Sequence, residues 1–98
     1  MALTIFWTKR ADKKFDSIIS YLVTEFGEIT ASDFIKKVYE FLDLLAKFPE
    51  MGTLENKELH IRAFVIVRQI TIFYNVQKDK IIILNFYDNR QKPKQKRF

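Results

Sequence analysis

The sequence predicts an α+β domain in which a hairpin of two helices packs on one face of a mainly antiparallel, four-stranded sheet. Three observations predict this fold class. Apolar residues recur at helical spacing between residues 11 and 48, and they alternate at strand spacing in residues 2–8 and again after residue 60. The connections between the last three strand-like runs are also too short for parallel pairing. The element order is therefore strand, helix, helix and three strands, in one domain that spans residues 1–98.

The first strand and the first helix are predicted within residues 2–26. Leu3, Ile5 and Trp7 stand at every second position, which indicates a short strand. Thr8 can cap the N-terminus of the following helix, and Gly27 suits its C-terminal end. The apolar stripe of this helix consists of Ala11, Phe15, Ile18, Ile19, Leu22 and Phe26.

A second helix is expected to start after Thr30, with Asp33 placing negative charge near the positive end of the helix dipole. Pro49 and Gly52 end it. Its apolar stripe consists of Ala31, Phe34, Val38, Phe41, Leu42, Leu45 and Phe48. The short connection predicts an antiparallel helical hairpin that faces the sheet. From the two helices we expect the following side chains to be mostly buried: Phe15, Ile19, Leu22, Phe34, Phe41, Leu45 and Phe48.

The rest of the sheet is predicted after residue 60. Residues 50–58 are polar and indicate a connection. Three runs rich in β-branched and aromatic residues follow at 61–67, 69–76 and 80–87, and each predicts a strand. Residues 77–79 are short enough to join the last two strands as a hairpin.

Composition excludes several classes of protein. The chain has no cysteine, which excludes a disulfide scaffold, a cysteine zinc site and thiol catalysis. With two glycines it has no glycine-rich phosphate loop, and its single histidine, His60, excludes a zinc-binding histidine pair. We therefore expect no cofactor and no metal. No apolar run approaches the ~20 residues of a membrane span, and residues 1–30 lack a signal segment, so we expect a cytoplasmic protein without a membrane partner.

Positive charge is concentrated at the C-terminus. The chain carries a net charge of +5, and residues 88–98 hold five Lys and Arg against one Asp. This basic tail is expected to be solvated. It is either a solubilising terminus or an arm that contacts phosphates or an acidic partner, in which case binding depends on salt.

Further cationic side chains stand at the ends of the predicted strands. The two groups are Lys57, His60, Arg62 and Arg68 around the second strand, and Asp88, Asn89, Arg90, Lys92 and Lys94 after the last. Because the ends of neighbouring antiparallel strands converge, we expect the two groups to share one rim. Arginines there can hold phosphates through paired hydrogen bonds, whereas Tyr74 and Tyr87 either stack on a base or pack in the core. The rim predicts an anionic partner, a nucleic acid or an acidic peptide.

Segments along most of the chain carry a family resemblance. They are WTKRA at residues 7–11, IISYL at 18–22, EFG at 25–27, LAKFPEMG at 45–52, IRAFVI at 61–66, IFYNV at 72–76, IIIL at 81–84 and DNRQ at 88–91. In this combination the sequence resembles toxins of the RelE/ParE family of type II toxin–antitoxin modules. The resemblance implies the same order of strand, helix, helix and three strands.

The resemblance leaves two activities open, because the family uses one fold for both. RelE-like members cleave mRNA on the ribosome, with the RNA 2′-hydroxyl as nucleophile, cationic residues to neutralise the phosphate and an acid/base side chain. ParE-like members poison DNA gyrase and lack that machinery. Thr71 stands where the ribonuclease members usually have an arginine, and the long helical hairpin looks more like ParE. The resemblance therefore favours a gyrase poison, with mRNA cleavage and an inactive protein-binding module as alternatives.

Site residues and partners follow from the same resemblance. The candidates for catalysis, if the chain is a ribonuclease, are His60, Arg62, Arg68, Tyr87, Asp88 and Arg90. The candidates for binding nucleic acid or an acidic partner are Lys57, Arg62, Arg68, Arg90, Lys92 and Lys94. Under either activity the toxin inhibits growth, takes part in plasmid stabilisation and is neutralised by a cognate antitoxin. The acidic, amphipathic C-terminal segment of that antitoxin would wrap the apolar surfaces and basic rim of the toxin.

Overall fold

The computed structural model describes residues 3–89, which form two helices and one five-stranded sheet. The elements are β1 (Thr4–Trp7), α1 (Lys9–Phe26), α2 (Glu28–Lys47), β2 (Thr53–Asn56), β3 (Ile61–Val67), β4 (Ile70–Val76) and β5 (Lys80–Asp88). The strand order across the sheet is β1-β5-β4-β3-β2. β1 pairs with β5 in parallel, and the other neighbours are antiparallel. The predicted α+β class is confirmed, with five strands where the sequence predicted four.

The additional strand is β2, which lies inside the segment expected to be a polar connection. Its sequence, TLEN, has no apolar alternation, and its side chains are mostly exposed. The strand forms because its backbone pairs with β3, with Thr53 opposite Ala63 and Leu54 opposite Arg62. Pairing in the folded sheet thus outweighs a local sequence without β propensity.

The helix boundaries confirm three of the four predicted ends, since Thr8 and Gly27 bound α1 and α2 ends at Lys47, just before Pro49. The backbone N–H of Ala11 donates to the Thr8 hydroxyl at 3.0 Å, so Thr8 caps α1 as expected. Gly27 ends α1 with φ 92° and ψ 170°, a conformation that only glycine adopts readily. Gly27 alone connects the two helices, so α2 begins at Glu28 and not after Thr30. Because α2 has already begun, Thr30 is no cap, and its hydroxyl donates to the Phe26 carbonyl at 3.4 Å.

The core lies between the helical hairpin and one face of the sheet. Phe15, Phe34, Phe41 and Leu45 are buried there, as predicted, whereas Ile19 and Leu22 are half-buried. The prediction for Phe48 is wrong: its side chain is 60% exposed, because α2 ends at Lys47 and Phe48 lies just beyond the helix. Aromatic rings fill much of this core, with ring centroids 4.4 Å apart for Phe41 and Phe64 and 5.1 Å for Trp7 and Phe15.

Neither α1 nor α2 is long and apolar enough to span a membrane.

The face of the sheet that is turned away from the helices, which we call the outer face, carries a smaller apolar cluster. It consists of the buried residues Ile61, Ala63 and Phe73, with Leu84 and Tyr87 packed against them.

Candidate functional site

Strand β3 separates the cationic side chains that the sequence singled out. Arg62 is the second residue of β3, whereas Arg68 follows its last residue. At the rise of a β-strand, six residues correspond to about 20 Å. Arg62 pairs with Tyr74 across the sheet, but Asp88 pairs with Ile70, beside the turn that holds Arg68. Within residues 3–89, therefore, Arg62 lies at one end of the sheet and Arg68 and Asp88 at the other, and they do not share one rim.

The C-terminal part of the predicted rim lies outside the described residues. This applies to Arg90, Lys92 and Lys94, whose proposed contacts with phosphate or an acidic partner stay predictions.

Arg62 is bound to the backbone of the segment between α2 and β2. Its Nη1 atom donates to the Gly52 carbonyl at 2.8 Å and to the Glu50 carbonyl at 3.4 Å. These contacts hold residues 48–52, which we call the corner, against the start of β3. The guanidinium therefore has a structural role at this position, beside any contact it makes with a partner.

The Tyr74 hydroxyl holds the same corner from the core side. It accepts a hydrogen bond from the Gly52 N–H at 2.8 Å and donates to the Pro49 carbonyl at 3.2 Å. Burial raises the pKa of this hydroxyl, while the Gly52 hydrogen bond and the Arg62 charge act in the opposite direction. The phenol is therefore neutral at physiological pH and able to donate. Because Tyr74 is fully buried, it packs in the core and does not stack on a base.

Gly52 is required where the corner meets the sheet. A Cβ atom at this position would lie 2.5 Å from the Tyr74 hydroxyl oxygen and 2.6 Å from the Ala63 carbonyl oxygen. Both distances are shorter than van der Waals contact, so a larger residue must displace the Tyr74 hydroxyl, whose hydrogen bonds to Pro49 and Gly52 we call the clamp. No sequence pattern linked Tyr74 to Gly52. The sequence did hold one sign of a tight backbone approach here: Gly52 is one of only two glycines in the chain, and it follows Pro49 by three residues.

His60 and Lys57 lie in the turn between β2 and β3. His60 has φ 55°, a left-handed conformation that is uncommon for a residue other than glycine. Its backbone is well bound: the N–H donates to the Lys57 carbonyl at 3.3 Å, and the carbonyl accepts from the Val76 N–H at 3.1 Å. Both side chains are exposed. The backbone of His60 thus shapes the turn while its imidazole faces solvent.

Thr71 and Tyr87 face each other across β4 and β5 on the outer face of the sheet. The Thr71 hydroxyl is bonded to the Asn89 side chain at 2.9 and 3.0 Å. The Tyr87 hydroxyl is buried and makes no hydrogen bond within the described part of the chain, and its ring packs against Phe73. The side chains that these contacts place beside Tyr87, Thr71 and Phe73, carry no charge. The Arg62 guanidinium lies at the far end of the sheet.

A groove of about 810 Å³ opens between the helical hairpin and the end of the sheet that carries Arg68 and Asp88. Its apolar lining includes Tyr21, Leu22, Phe26, Phe34, Val67 and Ile70. Lys14, Lys37, Asp33 and Asp88 also line it and provide charges of both signs. Tyr21 and Phe26 are exposed large aromatics, and Phe26 ends the apolar stripe of α1 that the sequence predicted. A groove of this size and lining suits the apolar side chains of a peptide segment.

The sequence profile of one protein family matches most of the chain. The family is described as "ParE toxin of type II toxin-antitoxin system, parDE", and the match covers residues 5–93. No curated protein sequence matches the chain.

Solved toxin structures share the fold at low sequence identity. A structure described as the chromosomal ParDE TA system from P. aeruginosa has a TM-score of 0.74 and 18% identity, covering 89% of this chain and 96% of that one. The YoeB dimer from Staphylococcus aureus has a TM-score of 0.63 and 16% identity, with coverages of 89% and 97%. A YoeB/ParE toxin from Agrobacterium tumefaciens has a TM-score of 0.63 and 9% identity, with coverages of 88% and 98%.

Proposed function

The chain belongs to the family of ParE toxins of type II toxin–antitoxin systems, and from this premise we propose that it inhibits growth by binding and poisoning DNA gyrase. On this proposal the toxin is a cytoplasmic protein, because its target acts there. It contributes a binding surface to the gyrase–DNA complex and breaks no bond itself.

One observation carries the choice of gyrase over RNA cleavage. Phosphodiester cleavage requires a cationic group and an acid/base group within hydrogen-bond reach of one phosphate. In the described residues, Arg62 is bound to the corner, and Thr71, at the position where the resemblance expects an arginine, is bound to Asn89. The Tyr87 hydroxyl is buried. This arrangement supports an activity that depends on binding.

Neutralisation by an antitoxin is part of the same proposal. The family is that of parDE modules, which supports a cognate antitoxin as the partner. We place the apolar side chains of an amphipathic antitoxin segment in the groove, against Phe26, Phe34 and Ile70. Lys14 and Lys37 would pair with its acidic residues. Such a segment orders on binding, so its contacts must offset the loss of chain entropy.

One structural observation, the positions of Arg68 and Asp88, favours the alternative of ribosome-dependent mRNA cleavage. Arg68 and Asp88 lie at the same end of the sheet, and Arg90 follows Asp88 by two residues. A cation and a carboxylate at one rim are the residue types that a phosphate site uses. This candidate requires that Arg68 and Asp88 act on the same phosphate.

Two parallel assays with purified protein test the proposal. We expect the toxin to inhibit gyrase supercoiling and to accumulate gyrase-dependent DNA breaks, while mRNA on translating ribosomes stays intact. Co-purified product of the adjacent antitoxin gene should abolish the effect. Cleavage of ribosome-bound mRNA with gyrase untouched would overturn the gyrase proposal in favour of the alternative.

A further inference from the structure

Four large apolar side chains are exposed around the end of α2 and the start of β2. They are Leu44 at 48%, Phe48 at 60%, Met51 at 36% and Leu54 at 43% of their full exposure, and we call them the corner patch. Leu44 and Phe48 are one helical turn apart, with the Phe48 N–H donating to the Leu44 carbonyl at 2.8 Å. The Met51 N–H donates to the Phe48 carbonyl at 3.1 Å. The four stand within eleven residues of sequence, and clustered exposed apolar side chains mark an interaction surface.

The backbone beneath the corner patch is held rigidly. Tyr74 binds Pro49 and Gly52, and Arg62 binds Glu50 and Gly52, so both sides of the corner are tied to the sheet. A partner that docks on the patch therefore does not have to order this backbone, which lowers the entropic cost of binding.

The charge around the corner patch is opposite to that of the whole chain. Residues 40–58 contain five acidic and two basic residues, and with the Arg62 guanidinium at the corner the net charge there is still negative, although the chain carries +5. Glu40, Asp43, Glu50 and Glu58 are exposed in this segment. Glu40 lies one turn before Leu44, and Glu50 lies between Phe48 and Met51, so the acidic groups border the apolar ones.

We propose that the corner patch is the surface through which the toxin contacts its target protein, and that it takes a basic, apolar segment of that target. The inference rests on the proposed action on gyrase and names the toxin surface that performs it. Acidic groups repel DNA, and they equally disfavour an acidic antitoxin segment or a second copy of this patch. The antitoxin groove and the target surface are then separate, since the residues of the corner patch do not line the groove.

Two substitutions with matched controls test the proposal in gyrase-dependent DNA cleavage. Phe48→Ser removes the most exposed apolar side chain of the patch, and Val65→Thr removes a comparably exposed one from the outer face. Glu50→Lys reverses a charge in the patch, and Glu25→Lys reverses an exposed charge at the end of α1. Thermal melting of each variant establishes that it is folded.

We expect Phe48→Ser to raise the toxin concentration for half-maximal DNA cleavage by about tenfold or more, since burial of a phenylalanine is worth at least that in affinity. Glu50→Lys should also weaken the effect, and the loss should shrink as salt is added because exposed charges are screened. Both controls should stay within about twofold of the parent.

The outcomes separate the surface from the function. If the parent protein breaks DNA with gyrase and both patch variants do so equally well, the corner patch is not the target surface, although the gyrase proposal stands. If the patch variants keep full activity but escape the antitoxin, the patch belongs to the antitoxin and the inference is wrong. A parent protein without any effect on gyrase overturns the proposed function and the inference together.

Discussion

The Tyr74 hydroxyl and the Gly52 backbone N–H lie 2.8 Å apart and connect the centre of the sheet to the segment between α2 and β2. The hydroxyl fills the space that a side chain on Gly52 would need. Because it also donates to Pro49, one phenol sets the position of four consecutive backbone units.

Tyr74→Phe should lower the free energy of unfolding by about 1–3 kcal/mol, because the buried Gly52 N–H loses its acceptor. Urea denaturation measures the loss. Tyr39→Phe is the matched control, since the Tyr39 side chain is half exposed and should change stability little. Equal stability of the two variants would contradict the role of the clamp.

The same hydroxyl predicts a loss of stability at high pH. Burial raises the folded-state pKa of Tyr74 above its ordinary value of 10.0, so the folded chain holds this proton more tightly than the unfolded chain. The contribution is fully present below pH 10 and is lost as the pH rises through the folded-state pKa. The free energy of unfolding, measured from pH 9 to 11, should decline more steeply above pH 10 for the parent than for Tyr74→Phe. Parallel curves for the two proteins would contradict this assignment.

Gly27→Ala and Gly27→Asn should both destabilise the chain by about 1–3 kcal/mol, because φ 92° with ψ 170° is accessible to glycine almost alone. No atom lies within 4 Å of a Cβ built there, so the loss comes from the backbone and not from a clash. Asparagine, which tolerates the ordinary left-handed conformation, should give no rescue. Thermal unfolding of the two variants measures this, and a stable Asn variant would show that the backbone can relax.

Phe41→Ala should cost roughly 3–5 kcal/mol of stability, because its ring is buried and stacks on Phe64 at 4.4 Å. Phe48→Ala, just beyond the end of α2, is the control and should cost far less, since its ring is mostly exposed. Chemical denaturation of both variants decides the matter. A nearly unchanged midpoint for Phe41→Ala would place that ring outside the core.

His60→Gly should keep full toxicity, and it should be more stable than His60→Ala by about 1 kcal/mol, because glycine adopts φ 55° without strain. The comparison uses growth arrest on expression and urea denaturation of the purified variants. Loss of toxicity in a stable His60→Gly protein would instead give the imidazole a function.

The sequence predicted those parts of the fold that depend on local chemistry. Thr8 caps α1 because a hydroxyl before an apolar stripe satisfies a free backbone N–H, and Gly27 ends the helix because its conformation excludes a side chain. β2 was missed because only Thr53 among its residues favours a strand, and the partner β3 supplies the pairing. Phe48 was misplaced because its helical spacing continues past the point where α2 ends.

For the candidate site, residue types were easier to predict than their positions. Arg62 and Asp88 both stand at strand ends in the sequence, but strand direction puts them at opposite ends of the sheet. The binding of Arg62 and Tyr74 to the corner joins residues ten or more positions apart, and single-sequence periodicity does not reveal such contacts. Thr71 was noted as a departure from the ribonuclease pattern, and its hydrogen bonds to Asn89 show what it does instead.

The parallel pairing of β1 with β5 has a consequence for the kinetics of folding. Residues Thr4 to Trp7 find their partners at Lys80 to Ile83, so this contact closes a loop of most of the chain. Contacts of such long sequence separation form late and slow the folding of small domains. During synthesis β1 has no strand to pair with until residues 80–83 have left the ribosome, although the helical hairpin can form earlier. A nascent chain therefore cannot complete its sheet, or act on any target that requires it, before residues 80–83 have emerged.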